Sequence, residues 1–218
     1  MPRWVLAALG LSFAAQIAVQ LPGLGQPRAA ADDLPRAPTS RALRLASFGE
    51  HEAAARLAMV YIQSYRGHDA ARLIGWLRTA LETDPRSQYP LFLAARVYAE
   101  NADAQRTRRV LEFVHQEFLR DPDRRWPWLA HAALLAKHRL KDLPLARRYA
   151  QAIERRATAP GVPLWARQME IFILADMNEL EAARIMIASL LESGAIHDPA
   201  ELRFLKERLE ELEAKINR

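Results

Sequence analysis

The chain has 218 residues, half of them hydrophobic, which is enough for one well-packed domain with an appendage. It contains no cysteine, so disulfides, thiolate metal sites, iron–sulfur clusters and a cysteine nucleophile are excluded. The formal net charge of +5 is unevenly spread, because residues 86–156 carry +7 and residues 157–218 carry −4. Glycine is scarce, and alanine, leucine, arginine and glutamate dominate, which favours helices.

The amino terminus carries a membrane signal. Residues 4–21 contain no charged side chain, follow Arg3, and just reach the length that crosses hydrocarbon as a helix. Two main interpretations fit this segment, and a buried core helix is a third alternative. As a signal-anchor, residues 1–21 stay attached as an N-terminal hydrophobic helix. As a signal peptide, they are removed after the small residues 29–31, which leaves Asp32 first.

Residues 22–40 are rich in proline and glycine and contain almost no large apolar side chain. Such a segment cannot bury enough surface to fold, so the sequence predicts an extended, flexible tether. Short basic tails before a first hydrophobic segment usually stay in the cytoplasm. We therefore expect a single-pass protein of the bacterial inner membrane, with its folded part on the periplasmic side.

The folded part is predicted for residues 41–218, and it contains a repeat. Four Pro-containing turns have prolines 37, 38 and 39 residues apart, and two amphipathic helical segments separate each turn from the next. This period is typical of an all-α fold, a right-handed α-solenoid of about four tetratricopeptide-like helix pairs. The turns are Asp84-Pro85, Asp121-Pro122, Ala159-Pro160 and Asp198-Pro199. The predicted helices are 41–66, 69–83, 89–101, 103–120, 126–139, 143–157, 163–177, 179–193 and 199–216.

The last predicted helix starts with Asp198 as its cap, Pro199 in its first turn and Glu201 near its positive end. Its large apolar residues then recur at alternating spacings of three and four. The seam predicts a capping helix that covers the last pair, and a short coiled-coil dimer contact is the alternative. The seam residues are Leu202, Leu205, Leu209, Leu212 and Ile216.

Three segments resemble small bacterial membrane-anchored tetratricopeptide repeat proteins. They are Pro38–Tyr65, Lys137–Arg167 and His197–Leu212, and the resemblance extends over residues 38–212. It departs from the family at Met59 and Val60, where an aromatic-rich stretch is common. The resemblance implies a bitopic inner-membrane protein with a periplasmic solenoid, no enzymatic site, and a role near prepilin or secretion machinery.

Motifs that carry catalytic chemistry were not found. The glycines are scattered and form no phosphate-binding loop, and His51-Glu52 lacks the second histidine of a zinc-binding helix. His131 and His138 share roughly one helix face and could bind a metal together with His115, but packing or surface roles are the expectation. We therefore predict no enzyme, no catalytic residue, no cofactor and no metal.

The Trp126-Pro127-Trp128 run, preceded by Arg124 and Arg125, is the most conspicuous local feature. Tryptophan and arginine dominate binding hot spots, yet Trp128 also occupies the usual large position of the repeat and Trp126 can pack at the helix start. Both interpretations stay open, and Trp76 and Trp165 are expected in the core.

Four arginine pairs predict a solvated face, and they are residues 108–109, 124–125, 147–148 and 155–156. Binding of an acidic partner or of anionic lipid is the alternative, and no nucleic-acid binding is expected.

These patterns predict a non-enzymatic, membrane-tethered scaffold that binds a peptide or helix of another protein on the concave surface formed by the first helices. Envelope, pilus or secretion assemblies are the expected settings, and the chain would be a monomer or a subunit of a hetero-complex. The alternative is a permanent structural accessory subunit of a larger membrane complex, which should expose a large apolar patch when isolated. The candidate contact residues are Gln88, Arg96, Trp126, His131, Lys137 and Gln168.

Overall fold

The computed structural model describes residues 34–47, 49–64, 69–100, 103–194 and 196–217. All regular structure in these ranges is helical, which confirms the prediction of an all-α fold. The hydrophobic segment predicted at 1–21 and residues 22–33 of the predicted tether lie outside the described residues. Across the ranges given above, each helix is too short or too polar to cross a membrane.

The chain divides into two compact units, residues 1–85 and residues 86–218. Unit 1 contains α1 (Ser40–Ala46), α2 (His51–Gln63) and α3 (Ala70–Thr83). Unit 2 begins with α4 (Tyr89–Leu93), which a π-helical turn (Ala94–Tyr98) continues. The helices that follow are α5 (Ala104–Arg120), α6 (Pro122–His138), α7 (Leu143–Arg156), α8 (Leu164–Arg167), α9 (Met169–Asp176), α10 (Leu180–Glu192) and α11 (Pro199–Ile216).

The prediction of one helix over residues 41–66 is wrong, because two helices occupy that range. α1 ends at Ala46 and α2 begins at His51. Between them Gly49 has a φ of 94°, a left-handed conformation that glycine adopts without the steric penalty of a side chain. The Glu50 amide donates a hydrogen bond of 2.9 Å to the Ser47 carbonyl, so the chain forms a turn here and the helix does not continue.

Two other predicted helix boundaries differ from the structure. α6 begins at Pro122 and not at residue 126, since a proline in the first turn has no amide that needs an intrahelical partner. The helix predicted over 163–177 is interrupted at Gln168, whose backbone has φ −92° and ψ 0°. That conformation ends α8 and starts α9.

In unit 1, residues 34–39 run as an extended segment along α3. Three α3 side chains one helical turn apart donate hydrogen bonds to backbone carbonyls of this segment. These bonds fix the end of the predicted tether to the helix. They join Arg72 Nη1 to Leu34 O at 3.0 Å, Trp76 Nε1 to Pro35 O at 2.8 Å and Thr79 Oγ1 to Pro38 O at 3.0 Å.

In unit 2, each of the longer helices packs against its neighbour in sequence, most extensively α6 against α7. Small side chains make this close approach possible. Those that are fully buried between α6 and α7 include Ala132, Ala136, Ala146 and Ala150. The core of unit 2 therefore combines these small side chains with large ones such as Phe113, Phe118 and Tyr149.

The apolar seam of α11 faces the chain's own helices. Leu205 and Leu212 are fully buried in a cluster with Ile171 and Ile187, and the partly buried Leu202 and Leu209 pack against that cluster. Asp198 caps the helix as predicted, because its Oδ1 accepts from the Ala200 amide at 2.8 Å. The seam thus covers the α9 and α10 pair.

Candidate partner-binding face

Three aromatic pairs in unit 2 each join one helix to the next helix but one in the chain. Phe92 of α4 meets Trp128 of α6 edge-on, with ring centroids 5.8 Å apart. Trp126 of α6 meets Trp165 of α8 in the same way at 5.4 Å, and Phe172 of α9 lies 6.0 Å from Phe204 of α11. These six residues together with Tyr89, which stacks on Phe92, are called the aromatic row. We call α4, α6, α8–α9 and α11 the first helices of unit 2, and α5, α7 and α10 the second helices.

Much of the aromatic row is exposed to solvent. Trp165 is 54% exposed and Phe204 is 50% exposed, while Tyr89 and Phe92 are also exposed. The expectation that Trp165 lies in the core is therefore wrong, because its only ring neighbour in the described part of the chain is the edge of Trp126. Trp76, by contrast, is buried in unit 1 as predicted. Exposed aromatic rings on successive helices form a contact surface of the kind that protein interfaces use.

Two predicted contact residues belong to this surface. The Gln88 Oε1 atom accepts a hydrogen bond of 2.5 Å from the indole Nε1 of Trp128, so Gln88 orients one ring of the row. Trp126 is half-buried, and its ring supports Trp165. Both rings are half-buried and pack against a ring of another helix, which agrees with the packing interpretation of the tryptophan run, and the binding interpretation stays a prediction.

Arg96 and His131 lie close enough to interact, on the π-helical turn and on α6. Burial lowers the pKa of His131, the charge of Arg96 lowers it further, and Glu100 opposes both effects. His131 Nε2 has no hydrogen-bond partner within the described ranges. At neutral pH this histidine is therefore an uncharged group beside an arginine.

The remaining two predicted residues are engaged with the chain itself. Lys137 on α6 forms an ion pair with Asp176 at the end of α9. Gln168 is only 5% exposed, and its Nε2 donates to Glu201 Oε1 at 3.0 Å. The structure thus places Trp126 in the aromatic row, Gln88 in contact with Trp128 of the row, and Gln168 in contact with Glu201 of α11. Arg96, His131 and Lys137 interact elsewhere on the first helices.

A pocket of about 340 Å³ opens where the row ends, between the α8–α9 segment and α11. A second pocket, of about 230 Å³, is also lined by Phe172 and Phe204. The first is lined chiefly by Trp165, Gln168, Phe172, Asp198, Glu201 and Phe204, and the second by Phe172, Phe204, Glu207, Arg208 and Glu211. Sequence reasoning missed these pockets, although aromatic residues at successive first-helix positions were a signal for them.

Ion pairs join the second helices α5 and α7 within unit 2. Arg148 of α7 binds Glu112 of α5 at 2.7 Å, and Arg108 of α5 binds Asp142, which caps α7. Both arginines are about half-exposed, in keeping with the predicted solvated face. Arg125 departs from that expectation, because it is buried and paired with Glu117.

A polar cluster lies between α7 and α9. Glu170 Oε1 accepts from Arg147 Nε at 2.9 Å and from Gln151 Nε2 at 2.7 Å. Burial raises the pKa of Glu154, and the neighbouring charge and hydrogen bond of Glu170 raise it further, while Arg155 opposes them. The cluster satisfies a buried carboxylate, which is a packing role.

The predicted histidine candidates do not form a metal centre in the part of the chain that the structure describes, since no group of three suitable ligands occurs there. His115 lies 3.6 Å from the carboxylate of Glu112, and its ring packs against Tyr149 at 5.2 Å. Burial is the largest influence on its pKa and lowers it. His115 is thus a packing residue between α5 and α7.

No protein-family model matches the chain, and neither a curated protein nor a solved structure matches it. The resemblance to membrane-anchored tetratricopeptide repeat proteins therefore stays a prediction.

Proposed function

We propose that the chain is a non-enzymatic protein-interaction scaffold that binds a peptide or helix of a partner protein on the aromatic row. The observation that carries this proposal is the exposure of Trp165 and Phe204 beside pockets of a size that side chains fill. Aromatic anchors in pockets supply most of the binding energy in protein interfaces. A rigid ring loses little conformational entropy on binding, which favours this use of the row.

The proposed architecture is a right-handed α-solenoid of tetratricopeptide-like helix pairs, with α11 as its cap. Contacts in unit 2 between positions a similar distance apart in sequence support it. Arg148 binds Glu112 36 residues earlier, and the Ala159 amide donates to Asp123, also 36 residues earlier. A similar separation for different contacts is expected when one helix pair stacks on the next.

The proposed location follows from the sequence and the resemblance. Residues 4–21 would hold the chain in the bacterial inner membrane, and the solenoid would lie on the periplasmic side, near an envelope, pilus or secretion assembly. A tethered scaffold would meet its partner at a high effective concentration, because both would be confined near one membrane.

Site-specific photo-crosslinking of the full-length protein in its native cells tests the proposed binding face. A photoreactive phenylalanine analogue would replace Phe92, Trp165 or Phe204 on first helices. Matched controls would carry it at Leu119 or Ile185, which are exposed apolar residues of second helices. We expect crosslinks to one set of proteins from the first-helix positions alone. Equal crosslinking from the second-helix positions would contradict the proposal.

A permanent structural subunit of a membrane complex is the second candidate, and unit 1 favours it. There a groove of about 720 Å³ is lined almost entirely by apolar side chains, among them Leu43, Leu57, Val60 and Trp76. Leu57 and Val60 are well exposed, as expected of a surface that a permanent partner covers.

Affinity purification of the full-length protein from solubilised native membranes separates the two functions. A permanent subunit would recover one complex in fixed stoichiometry, and changing Leu57 to Ser would dissociate it. An exchanging scaffold would recover substoichiometric partners, and changing Trp165 to Ala would release them. Each variant is the control for the other, because Leu57→Ser alters an exposed residue of unit 1 and Trp165→Ala alters an exposed residue of unit 2.

A further inference from the structure

We infer that the α11 end of the aromatic row binds an arginine- or lysine-containing segment of the partner protein. This inference rests on the proposed function and specifies the chemistry of the partner. The cationic head group would lie against Trp165, Phe172 and Phe204 and among the carboxylates that line the two pockets.

The pockets combine two features that attract cations. The faces of aromatic rings are negative, and here two pockets share the Phe172 and Phe204 rings. Asp198 and Glu201 line the first pocket, and Glu207 and Glu211 line the second, whose one cation, Arg208, is paired with Glu211 at 2.7 Å. In the described ranges, the Glu207 carboxylate has neither an ion pair nor a hydrogen bond. The excess of acidic groups in the lining leaves it net negative.

The arrangement selects against the other classes of peptide. An acidic segment would place like charges beside Glu201 and Glu207, which is repulsive. A purely apolar segment would cover the Glu207 carboxylate and remove its water without supplying a partner. A basic side chain supplies that partner, while its aliphatic stem covers the half-exposed ring of Phe204.

The charge distribution of the chain agrees with this assignment. Residues 157–218, which contain both pockets, carry −4, although the chain as a whole carries +5. A basic partner would therefore be directed to this end of the row and away from the basic residues 86–156.

Fluorescence anisotropy with the purified full-length protein tests the inference. The probe is a short fluorescent arginine-containing peptide, and matched peptides replace its arginines by citrulline, which is neutral, or by glutamate. We expect the arginine peptide to bind and the others to bind at least about tenfold more weakly. Phe204→Leu, which keeps an apolar side chain and removes the ring, should weaken binding several-fold, and so should Glu207→Gln. Glu210→Gln is the matched control, because Glu210 is exposed on the same helix and lines neither pocket.

Three results would overturn the inference. The arginine peptide would bind no better than the citrulline peptide, Glu210→Gln would weaken binding as much as Glu207→Gln, or the arginine peptide would not bind. Sedimentation of the protein alone identifies a different occupant: self-association that Glu207→Gln abolishes would assign the pockets to the basic residues of a second copy. Each of these outcomes leaves the crosslinking test of the aromatic row unaffected, so failure of the inference and failure of the proposed function are distinguishable.

Discussion

The carboxylate of Glu117 on α5 and the guanidinium of Arg125 on α6 form a buried ion pair. Arg125 Nη1 lies 2.8 Å from Glu117 Oε2 and 2.8 Å from the Glu117 carbonyl oxygen. Glu117 is 1% exposed and Arg125 is 4% exposed, so little water reaches either charge. Both bonds bridge the Asp121-Pro122 turn. The pair therefore fixes the angle at which two consecutive helices meet.

Changing Arg125 to Ala should lower the free energy of unfolding by about 3 kcal/mol, because the Glu117 carboxylate loses its buried partner. Arg120 still contacts the other Glu117 oxygen at 2.8 Å, which keeps the loss near the lower end of the range for such pairs. Urea denaturation of the parent protein and of Arg125→Ala measures this difference in the free energy of unfolding.

Arg124→Ala is the matched control for this prediction. Arg124 is the neighbouring arginine, and it pairs with Asp121 at 3.4 Å while its side chain is about half-exposed. Exposed pairs contribute about 0 to 1 kcal/mol, so this variant should unfold at nearly the same urea concentration as the parent. Equal losses from the two variants would show that the buried pair is no more stabilising than a surface one.

Glu154 should make stability depend on pH. Burial, followed by the charge of Glu170, raises its pKa above the usual 4.5. The folded state therefore binds its proton more tightly than the unfolded chain does. This contribution to stability is complete below the unfolded pKa, and it is lost as pH rises through the folded pKa.

Glu154→Gln should accordingly raise the melting temperature at pH 7 and flatten the profile between about pH 4 and pH 7. Thermal unfolding across this range, compared with Glu210→Gln on the exposed side of α11, measures the effect. An unchanged slope in Glu154→Gln would show that the Glu154 carboxyl is not destabilised in the folded state.

The sequence was sufficient for features that depend on local chemistry. Asp198 was predicted to cap the last helix, and it accepts a hydrogen bond from the amide of Ala200, only two residues away. The small buried positions, such as Ala132 and Ala146, follow from helical periodicity in the same way. Local spacing is fixed by the chain itself, so no distant residue is needed to predict it.

Features that depend on distant neighbours were not predicted. Both Trp76 and Trp165 were expected in the core, but Trp76 donates to Pro35 of the extended segment and is buried, whereas Trp165 is 54% exposed. Arg125 is buried because Glu117 lies on the preceding helix at the matching height. The way one helix packs on the next determines the exposure of Trp165 and the burial of Arg125. Helical periodicity alone does not predict that packing.

The extended segment at residues 34–39 should be released by removing its bonds to α3. Trp76→Phe and Thr79→Val together eliminate the donors to Pro35 O and Pro38 O, each of which contributes about 1 kcal/mol. We expect trypsin to cleave after Arg36 several-fold faster in the double variant, because a protease needs a locally free backbone.

Thr83→Val is the matched control for cleavage after Arg36. The Thr83 hydroxyl donates to the Thr79 carbonyl within α3 at 2.8 Å and makes no bond to the extended segment. Its loss should leave the cleavage rate close to that of the parent. If Thr83→Val were cleaved as fast as the double variant, general destabilisation of α3 would account for the release of the segment.

Trp165→Ala should reduce partner binding strongly while lowering the stability of the fold only slightly. The ring is 54% exposed, so its loss should lower the free energy of unfolding by only about 1 kcal/mol. Phe118→Ala, which empties a fully buried position on α5, should cost about 3 to 5 kcal/mol. Denaturation and partner recovery would be measured on the same preparations of full-length protein.

Ile185→Ala provides the comparison that assigns the binding effect to the aromatic row. Ile185 is as exposed as Trp165 but lies on the second helix α10, so its loss should change neither stability nor partner recovery appreciably. Trp165→Ala should reduce recovery about tenfold or more, since interface aromatics commonly contribute 2 kcal/mol or more. A folded Trp165→Ala protein that retained its partners would exclude this ring as an anchor. The exposure of Trp165 would then reflect only the room left between α6 and α8.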